Sequence, residues 1–220
     1  IWVADHHCHV AILKAALEAL GINPDRLEII LMQLVRLVRD GEAVRMSKRT
    51  GKAITLNDLI EETGVDAARF YFNLRQANSH FEFDLELAVR QSSENPVFYV
   101  QYAHARICGI IKALLEQGAS IKAFSEINPA LLTDEKEIEL MKMIAKFPEE
   151  IRISAAMREP SRITKYTMDL AASFHAFYGA CKVACSDAAL RDARLLLVAA
   201  CRQTIKNSLT VLGIDAPEHM

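Results

Sequence analysis

The chain contains 220 residues, of which 51% are hydrophobic and 25% are charged. These proportions exclude a disordered or fibrous protein and are sufficient for a hydrophobic core and one or two domains. Because the formal net charge is -2, a nucleic-acid partner would have to bind to a local group of cations and not to a generally basic surface.

The cysteine content and the hydropathy of the sequence indicate the cellular compartment in which the protein is expected. Five cysteines form an odd set without a CxxC pair, which favours a reducing, cytoplasmic setting. No apolar stretch approaches the roughly 18 residues that a membrane span requires, so no membrane partner is expected. The first residues, IWVAD, already have the pattern of a strand, and we therefore expect the chain to be the C-terminal piece of a longer protein.

Residues 1–44 alternate between strand and helix patterns. IWVA predicts a strand, VAILKAALEALG predicts an amphipathic helix that ends at Gly21, and LEIILMQLVRLV predicts a second strand. This spacing is typical of a βαβ unit in an open parallel sheet, in which ligands bind at the carboxyl ends of strands. The pair Asp40-Gly41 predicts a two-residue hairpin turn after the second strand.

Three histidines and an aspartate lie within residues 4–10, ADHHCHV. Such a set can bind a metal ion, but a turn between a strand and a helix directs neighbouring side chains away from one another. Alternatively, His7 and His9 only cap or line the start of the helix. No metal site is predicted here.

A strongly basic segment, RMSKRTGKAITL, follows the predicted hairpin. It carries Arg45, Lys48, Arg49 and Lys52 around one glycine. A lysine on such a loop, near the end of a parallel sheet, can stabilise the negative charge that develops when the phosphates of a nucleotide are cleaved. From composition alone, a solvated charged turn is the competing interpretation.

Helical periodicity begins at Thr55. TLNDLIEETG has Thr55 as its N-cap, Asp58 at the capping-box position and Gly64 as its end, and VDAARFYFNLR predicts a second helix. The next stretch, SHFEFDLELA, is expected to be short and irregular.

Proline and capping residues divide residues 92–220 into helices. Asn95-Pro96 is typical of a helix start and predicts a helix to about Gln117. A long last helix is expected to end at Gly213. The remaining helix boundaries are marked by Pro129, Pro148, Pro160 and Ser186-Asp187. No strand pattern occurs in this part, which is therefore expected to form an all-helical bundle.

The first helix of this part, NPVFYVQYAHAR and onward, has two distinct faces. Tyr99, Tyr102 and Arg106 recur at i, i+3 and i+7. Aromatic rings and a guanidinium in a row suit the stacking of unpaired bases and the binding of the phosphate between them. An equally good interpretation is that both tyrosines bury their rings in the core and form hydrogen bonds through their hydroxyls at its edge. The apolar stripe predicted to be buried comprises Val97, Val100, His104, Ile107, Ile111 and Leu114.

A similar row is predicted on a later helix, residues 162–185. His175, Tyr178 and Lys182 again stand at i, i+3 and i+7. This row matches the row of Tyr99, Tyr102 and Arg106 on the first helix.

Met46-Ser47-Lys48 within RMSKRTG resembles the KMSKS loop of class I aminoacyl-tRNA synthetases. The longer run RMSKRTGKAITLNDLIEETGVDAARF resembles the form found in arginyl-tRNA synthetases. The resemblance implies that Arg45, Met46, Ser47 and Lys48 bind ATP, with Arg45 in place of the first lysine of the motif. It also implies that Lys48 is catalytic and stabilises the pyrophosphate side of the adenylation transition state.

Two further stretches carry the same resemblance. The spacing Asp5-x-x-x-His9 is similar to the G-x-D-x-x-x-H element of class I synthetases, although Val3 and Cys8 occupy positions that are glycine in the arginyl family. This similarity implies that Asp5, His6 and His9 contact ATP. The run NPVFYVQYAHAR resembles the DALR-type anticodon-binding domain of arginyl-tRNA synthetases.

The anticodon-binding resemblance implies a set of tRNA contacts. The ending LGIDAPEHM also resembles the C-terminus of that family, in which the last methionine packs near the anticodon loop; an unstructured tail is the alternative. The implied tRNA-binding residues are Tyr99, Tyr102, Arg106, His175, Tyr178, Lys182 and Met220.

These resemblances imply a mostly α fold in two parts. Residues 1–91 would be the remnant of an α/β Rossmann-type catalytic domain, including the KMSKS-like loop. Residues 92–220 would be an all-helical anticodon-binding bundle.

The implied parent enzyme is an arginine-tRNA ligase, a monomer of the cytoplasm that uses ATP with Mg²⁺ to couple arginine to tRNA(Arg). The family's HIGH element is absent from these 220 residues, so the isolated chain is not expected to form arginyl-adenylate. Two alternatives are a stand-alone RNA-binding module derived from a synthetase and a helical interaction domain without an RNA function.

Overall fold

The computed structural model describes residues 1–44 and 54–220. Within them helices dominate and the strands are short, which confirms the mostly α fold with a small α/β part ahead of a helical bundle. No helix in the described part of the chain combines the length and apolar character needed to cross a membrane.

The chain opens with the predicted βαβ unit. Strand β1 (Trp2–Val3) leads through helix α1 (His7–Ala19) to strand β2 (Leu31–Met32), and the two strands pair in parallel. Gly21 follows the helix with φ +73°, a conformation that glycine adopts without steric cost. No residue of α1 is fully buried.

The predicted second strand is wrong in one respect, because LEIILMQLVRLV forms two strands. The first part is β2, and the second is β3 (Val35–Arg39), which belongs to a different sheet. At the break, the Gln33 amide donates to the carbonyl of Ala77 at 2.8 Å. A continuous apolar run contains no local signal for such a break, since the partner comes from a distant loop.

The hairpin after β3 is confirmed. Strand β4 (Glu42–Ala43) pairs antiparallel with β3, and Asp40 and Gly41 have φ values of 52° and 74°. Positive φ at both central residues is the requirement of a type I′ turn. The hairpin directs the chain into the basic segment.

Helices α2 (Leu56–Thr63) and α3 (Val65–Phe72) follow as predicted. The capping box is present: the Asp58 amide donates to Thr55 Oγ1 at 3.2 Å, and the Thr55 amide donates to Asp58 Oδ2 at 2.7 Å. These donors from Thr55 hold the pKa of Asp58 below its usual value.

The stretch expected to be irregular is instead ordered. It forms strand β5 (Phe81–Asp84), parallel to β3, and the short helix α4 (Leu85–Val89), whose first turn is capped by Asp84. Phe83 is fully buried and its ring centroid lies 5.0 Å from that of Tyr71. A strand this short is stabilised by tertiary packing and not by its own pattern.

Residues 92–220, all of them described, contain helices and turns and no strand. The bundle consists of α5 (Pro96–Glu116), α6 (Glu135–Ala145), α7 (Phe147–Met157), α8 (Ser161–Ala180) and α9 (Ala188–Leu212). Helices α5, α8 and α9 pack against one another around fully buried side chains such as Ile107, Leu170, Phe174 and Leu195. The stripe predicted on α5 is buried throughout.

The start of α5 lies at the predicted position, but Asn95 does not cap it with its side chain. Asn95 is buried; its Nδ2 donates to the carbonyls of Ala88 and Arg90, and its Oδ1 accepts from the Tyr71 hydroxyl. Its polar groups thus join α3 and α4 to the bundle.

Helix α8 ends at Ala180 and not at residue 185. Cys181 has an extended backbone and a buried side chain, and burial raises the pKa of its thiol to about 11. The next helix starts after Asp187, which accepts from the amides of Ala189 and Leu190.

Polar contacts also join the small α/β part to the bundle. The Thr164 hydroxyl donates to the Asn73 carbonyl at 2.7 Å, and Gln76 donates to Glu159 at 3.2 Å. Arg158 forms an ion pair with Glu28.

Candidate nucleic-acid interface

The predicted ATP-binding loop, Arg45, Met46, Ser47 and Lys48, lies outside the described residues. The residue before it, Val44, is half-buried, and its amide donates to the Leu37 carbonyl at 2.9 Å. The loop is therefore attached to the end of the β3–β4 hairpin.

A cleft of about 520 Å³ lies between the two small sheets. Asp5, which follows the carboxyl end of β1, lines it together with Val44 and the exposed ion pair of Arg36 with Glu82. The predicted ATP contact Asp5 and the attachment point of the basic loop thus border the same cleft.

His6 and His9 are placed elsewhere. Both are exposed, their ring centroids are 5.5 Å apart, and with Trp2 they line a separate hollow. His7 Nδ1 contacts the Ala4 carbonyl at 3.2 Å. Among residues 1–44 and 54–220, no group of three His, Cys, Asp or Glu side chains is arranged to hold a metal ion.

On the bundle, helices α5 and α8 bring five of the predicted tRNA-binding side chains together. The His175 ring centroid lies 5.3 Å from that of Tyr99 and 6.3 Å from that of Tyr102, with the latter pair stacked. Arg106 Cζ lies 4.5 Å from the centroid of the Tyr178 ring, within the range of a cation–π interaction. We call Tyr99, Tyr102, Arg106, His175 and Tyr178 the aromatic cluster.

The aromatic cluster has a buried side and an exposed side. Tyr99, His175 and Tyr178 are half-buried, whereas Tyr102 is 42% exposed and Arg106 is also exposed. The exposed side therefore presents an aromatic face and a cation, the two groups that hold an unpaired base and its phosphate.

Sequence reasoning missed Phe98. Its ring is nearly parallel to that of Tyr102, at 8° and a centroid distance of 6.1 Å. The spacing of four residues on one helix was an available signal, because residues at i and i+4 lie on the same face. Half-buried Phe98 thus adds one ring beside the exposed ring of Tyr102.

Burial determines the electrostatics of the aromatic cluster. It lowers the pKa of His175, and the charge of Arg106 adds to this effect; burial also raises the pKa of Tyr99. At neutral pH the cluster thus contains two neutral half-buried rings beside the Arg106 guanidinium.

Acid is expected to destabilise the folded chain partly through His175. Because its pKa is lowered in the folded chain, the unfolded chain takes up this proton first as the pH falls below about 6.5. The contribution of neutral His175 to stability is therefore complete above pH of about 6.5 and is lost as the pH falls through the folded pKa. Urea unfolding should show wild type losing stability relative to His175→Asn across this window, and a pH-independent difference would contradict the prediction.

Lys182 and Met220 are not part of the aromatic cluster. The helical spacing predicted for Lys182 is wrong, because α8 ends before it; Lys182 is exposed and its carbonyl accepts from Arg194 Nη1 at 2.8 Å. Met220 is 56% exposed at the end of a tail that contacts α5 through Pro217 and His104.

Comparison with known proteins agrees with this geometry. The family model described as the DALR anticodon binding domain matches residues 100–220. The whole chain is 54% identical to the arginine-tRNA ligases of Ruminiclostridium cellulolyticum and of Caldanaerobacter subterraneus. It covers 39% of each of these relatives, so it spans about two fifths of their length.

Solved structures show the same likeness. All of the chain superposes on 47% of an arginyl-tRNA synthetase from Campylobacter jejuni, with 32% identity and a TM-score of 0.86. All of it also superposes on 40% of the Thermus thermophilus arginyl-tRNA synthetase, with 23% identity and a TM-score of 0.78. The second comparison supports the fold alone.

Proposed function

Because the chain belongs to the DALR anticodon-binding domain family, we propose that it is the C-terminal part of an arginine-tRNA ligase whose bundle binds the anticodon loop of tRNA(Arg). The observation that carries this proposal is the aromatic cluster, in which side chains from α5 and α8 converge on one surface. The similarity to arginine-tRNA ligases includes the first 91 residues as well as the bundle, which does not favour a stand-alone RNA-binding module.

The aromatic cluster would bind the anticodon loop by stacking. Exposed Tyr102 and half-buried Phe98 offer parallel rings to unpaired bases, and the neutral His175 ring supports Tyr102 from the side of α8. Arg106, which lies over the Tyr178 ring, would offer its guanidinium to a phosphate. Lys182 and Met220 complete the proposed tRNA contacts.

Residues 1–91 would contribute to ATP binding as the end of the catalytic domain. Asp5 borders the cleft from which the loop starts after Val44, and Lys48 on that loop would stabilise charge on the pyrophosphate side of the transition state. His6 and His9, which line a separate hollow, would also contact the nucleotide. Mg²⁺ would enter with ATP, since this ion binds mainly through phosphates, water and few carboxylates.

Tyr102→Ala is expected to weaken binding of tRNA(Arg) by about tenfold or more, because loss of one stacked base costs roughly 1–3 kcal/mol. Fluorescence anisotropy with labelled tRNA(Arg) and the 220-residue chain, at one fixed salt concentration, measures the effect. Tyr102→Phe keeps the ring and should retain most of the affinity.

The matched control is Phe124→Ala, an exposed aromatic outside the aromatic cluster, which should bind like wild type. Equal affinity of wild type and Tyr102→Ala for tRNA(Arg), or equal affinity of wild type for tRNAs with other anticodons, would overturn the proposed function.

A further inference from the structure

The C-terminal tail is bound to the rest of the protein through three of its backbone groups. The Asp215 amide donates to Asp66 Oδ1 at 3.2 Å, and Gln101 Nε2 donates to the Asp215 carbonyl at 3.0 Å. His104 Nδ1 donates to the Pro217 carbonyl at 2.8 Å. We call Asp66, Gln101 and His104 the tail clamp.

The members of the tail clamp are also connected to each other. Gln101 Nε2 donates to Asp66 Oδ2 at 2.7 Å as well as to the tail. Asp66 lies on α3, whereas Gln101 and His104 lie on α5. The tail is therefore held at a junction between the small α/β part and the bundle.

His104 is the buried member of the tail clamp, with 1% of its surface exposed. Its Nδ1 must carry the proton in order to donate to a carbonyl, and its Nε2 has no partner among the described residues. Burial lowers the pKa of His104, and the charges of Arg202 and Lys206 on α9 add to this, while the Pro217 carbonyl and Glu218 act in the opposite direction. A neutral ring with one defined tautomer gives the contact with the tail a fixed direction.

Two members of the tail clamp, Gln101 and His104, lie on the same two turns of α5 as Tyr99, Tyr102 and Arg106 of the aromatic cluster. Gln101 and Tyr102 are adjacent, and His104 lies about 3 Å along the axis from Tyr102 but on the other side of the helix, since two residues turn it by about 200°. Met220 is three residues beyond Pro217, so it stays within about 10 Å of the clamped carbonyl. If the tail were released from Gly213 onward, Met220 could lie up to about 25 Å from Gly213.

We propose that Asp66, Gln101 and His104 are positioning residues that hold the C-terminal tail in one register on α5, so that Met220 meets the RNA bound by the aromatic cluster. This inference rests on the proposed function. A tail held in place beforehand raises the local concentration of Met220 at the RNA and avoids the entropy of ordering it on binding. Asp66 would thereby act on RNA binding from outside the bundle, without touching the RNA.

The experiment is a double-mutant cycle between Asp66→Ala and Met220→Ala in the 220-residue chain, with labelled tRNA(Arg) as the probe. Amide hydrogen exchange at Asp215 reports tail release independently of RNA, and it should accelerate in Asp66→Ala. Both single variants should weaken binding by a similar factor, roughly threefold to tenfold, and the double variant should show no further loss. Losses that multiply would overturn the proposal, because independent contacts are additive in free energy.

Two more variants separate positioning from general destabilisation. His104→Leu keeps the buried position apolar but removes the donor to Pro217 and should act like Asp66→Ala, whereas His104→Asn retains a donor near the Nδ1 position and should restore affinity. Glu61→Ala, an exposed carboxylate on the preceding helix, is the matched control and should behave as wild type.

The two proposals fail in different ways. Wild-type chain without affinity for tRNA(Arg) would overturn the proposed function and with it the RNA role of the tail clamp. Wild-type affinity in an Asp66→Ala variant whose Asp215 amide exchanges fast would overturn the positioning role alone.

Discussion

Replacing Arg194 with methionine is expected to lower the free energy of unfolding by about 3–5 kcal/mol. Arg194 Nε lies 2.6 Å from Glu137 Oε1, with side chains 14% and 1% exposed. Glu137 also accepts the Asp134 amide at the start of α6. The variant leaves this buried carboxylate without its cation, and the cost of an unpaired buried charge exceeds the lost Coulomb energy.

Urea unfolding followed by circular dichroism measures this effect. Lys136→Ala, which breaks an ion pair whose side chains are 37% and 45% exposed, should change stability by no more than about 1 kcal/mol. The double variant Arg194→Met/Glu137→Leu should recover much of the loss because it removes the buried charge as well. Wild-type stability in Arg194→Met would show that the ion pair does not matter for the bundle.

Phe174→Ala is expected to cost about 3–5 kcal/mol, the range for a fully buried phenylalanine. Phe174 is a residue of α8, and its side chain is fully buried in the hydrophobic core. Its ring centroid lies 5.3 Å from that of His175 and 6.0 Å from that of Tyr178. The resulting cavity would remove the support of two members of the aromatic cluster, so the fraction that remains folded should also bind tRNA(Arg) more weakly.

The free energy of unfolding and the tRNA affinity need to be measured on the same preparation, with affinity corrected for the folded fraction. Phe124→Ala is the control for stability, because Phe124 is 71% exposed and its loss should change the free energy by roughly 0.5 kcal/mol or less. Phe174→Leu fills most of the cavity and should lie between wild type and Phe174→Ala. If a folded Phe174→Ala variant bound tRNA(Arg) as tightly as wild type, Phe174 would not be needed to support the aromatic cluster.

Helix ends, a hairpin turn and a buried helix face could be predicted from residues close together in the sequence. The capping box of Thr55 and Asp58, the hairpin at Asp40-Gly41 and the buried stripe of α5 all agree with the structure. Each of these features depends on residues within one or two turns of one another, so its signal is contained in a short stretch of sequence.

The failures share a non-local cause. The break between β2 and β3 depends on a bond to Ala77, and β5 depends on parallel pairing with β3 and on burial of Phe83. The end of α8 at Ala180 places Lys182 off the predicted face. For β2, β3 and β5, contacts with a distant segment override a local pattern that suggested otherwise.

The sequence by itself determined the residue types and their spacing on each helix, and through them the family resemblance and the row of Tyr99, Tyr102 and Arg106. Only the tertiary structure decided that α8 places His175 against those tyrosines and that the tail crosses α5 at His104. Periodicity specifies which face of a helix is buried, but the partner of that face is selected by the packing of segments far apart in the chain.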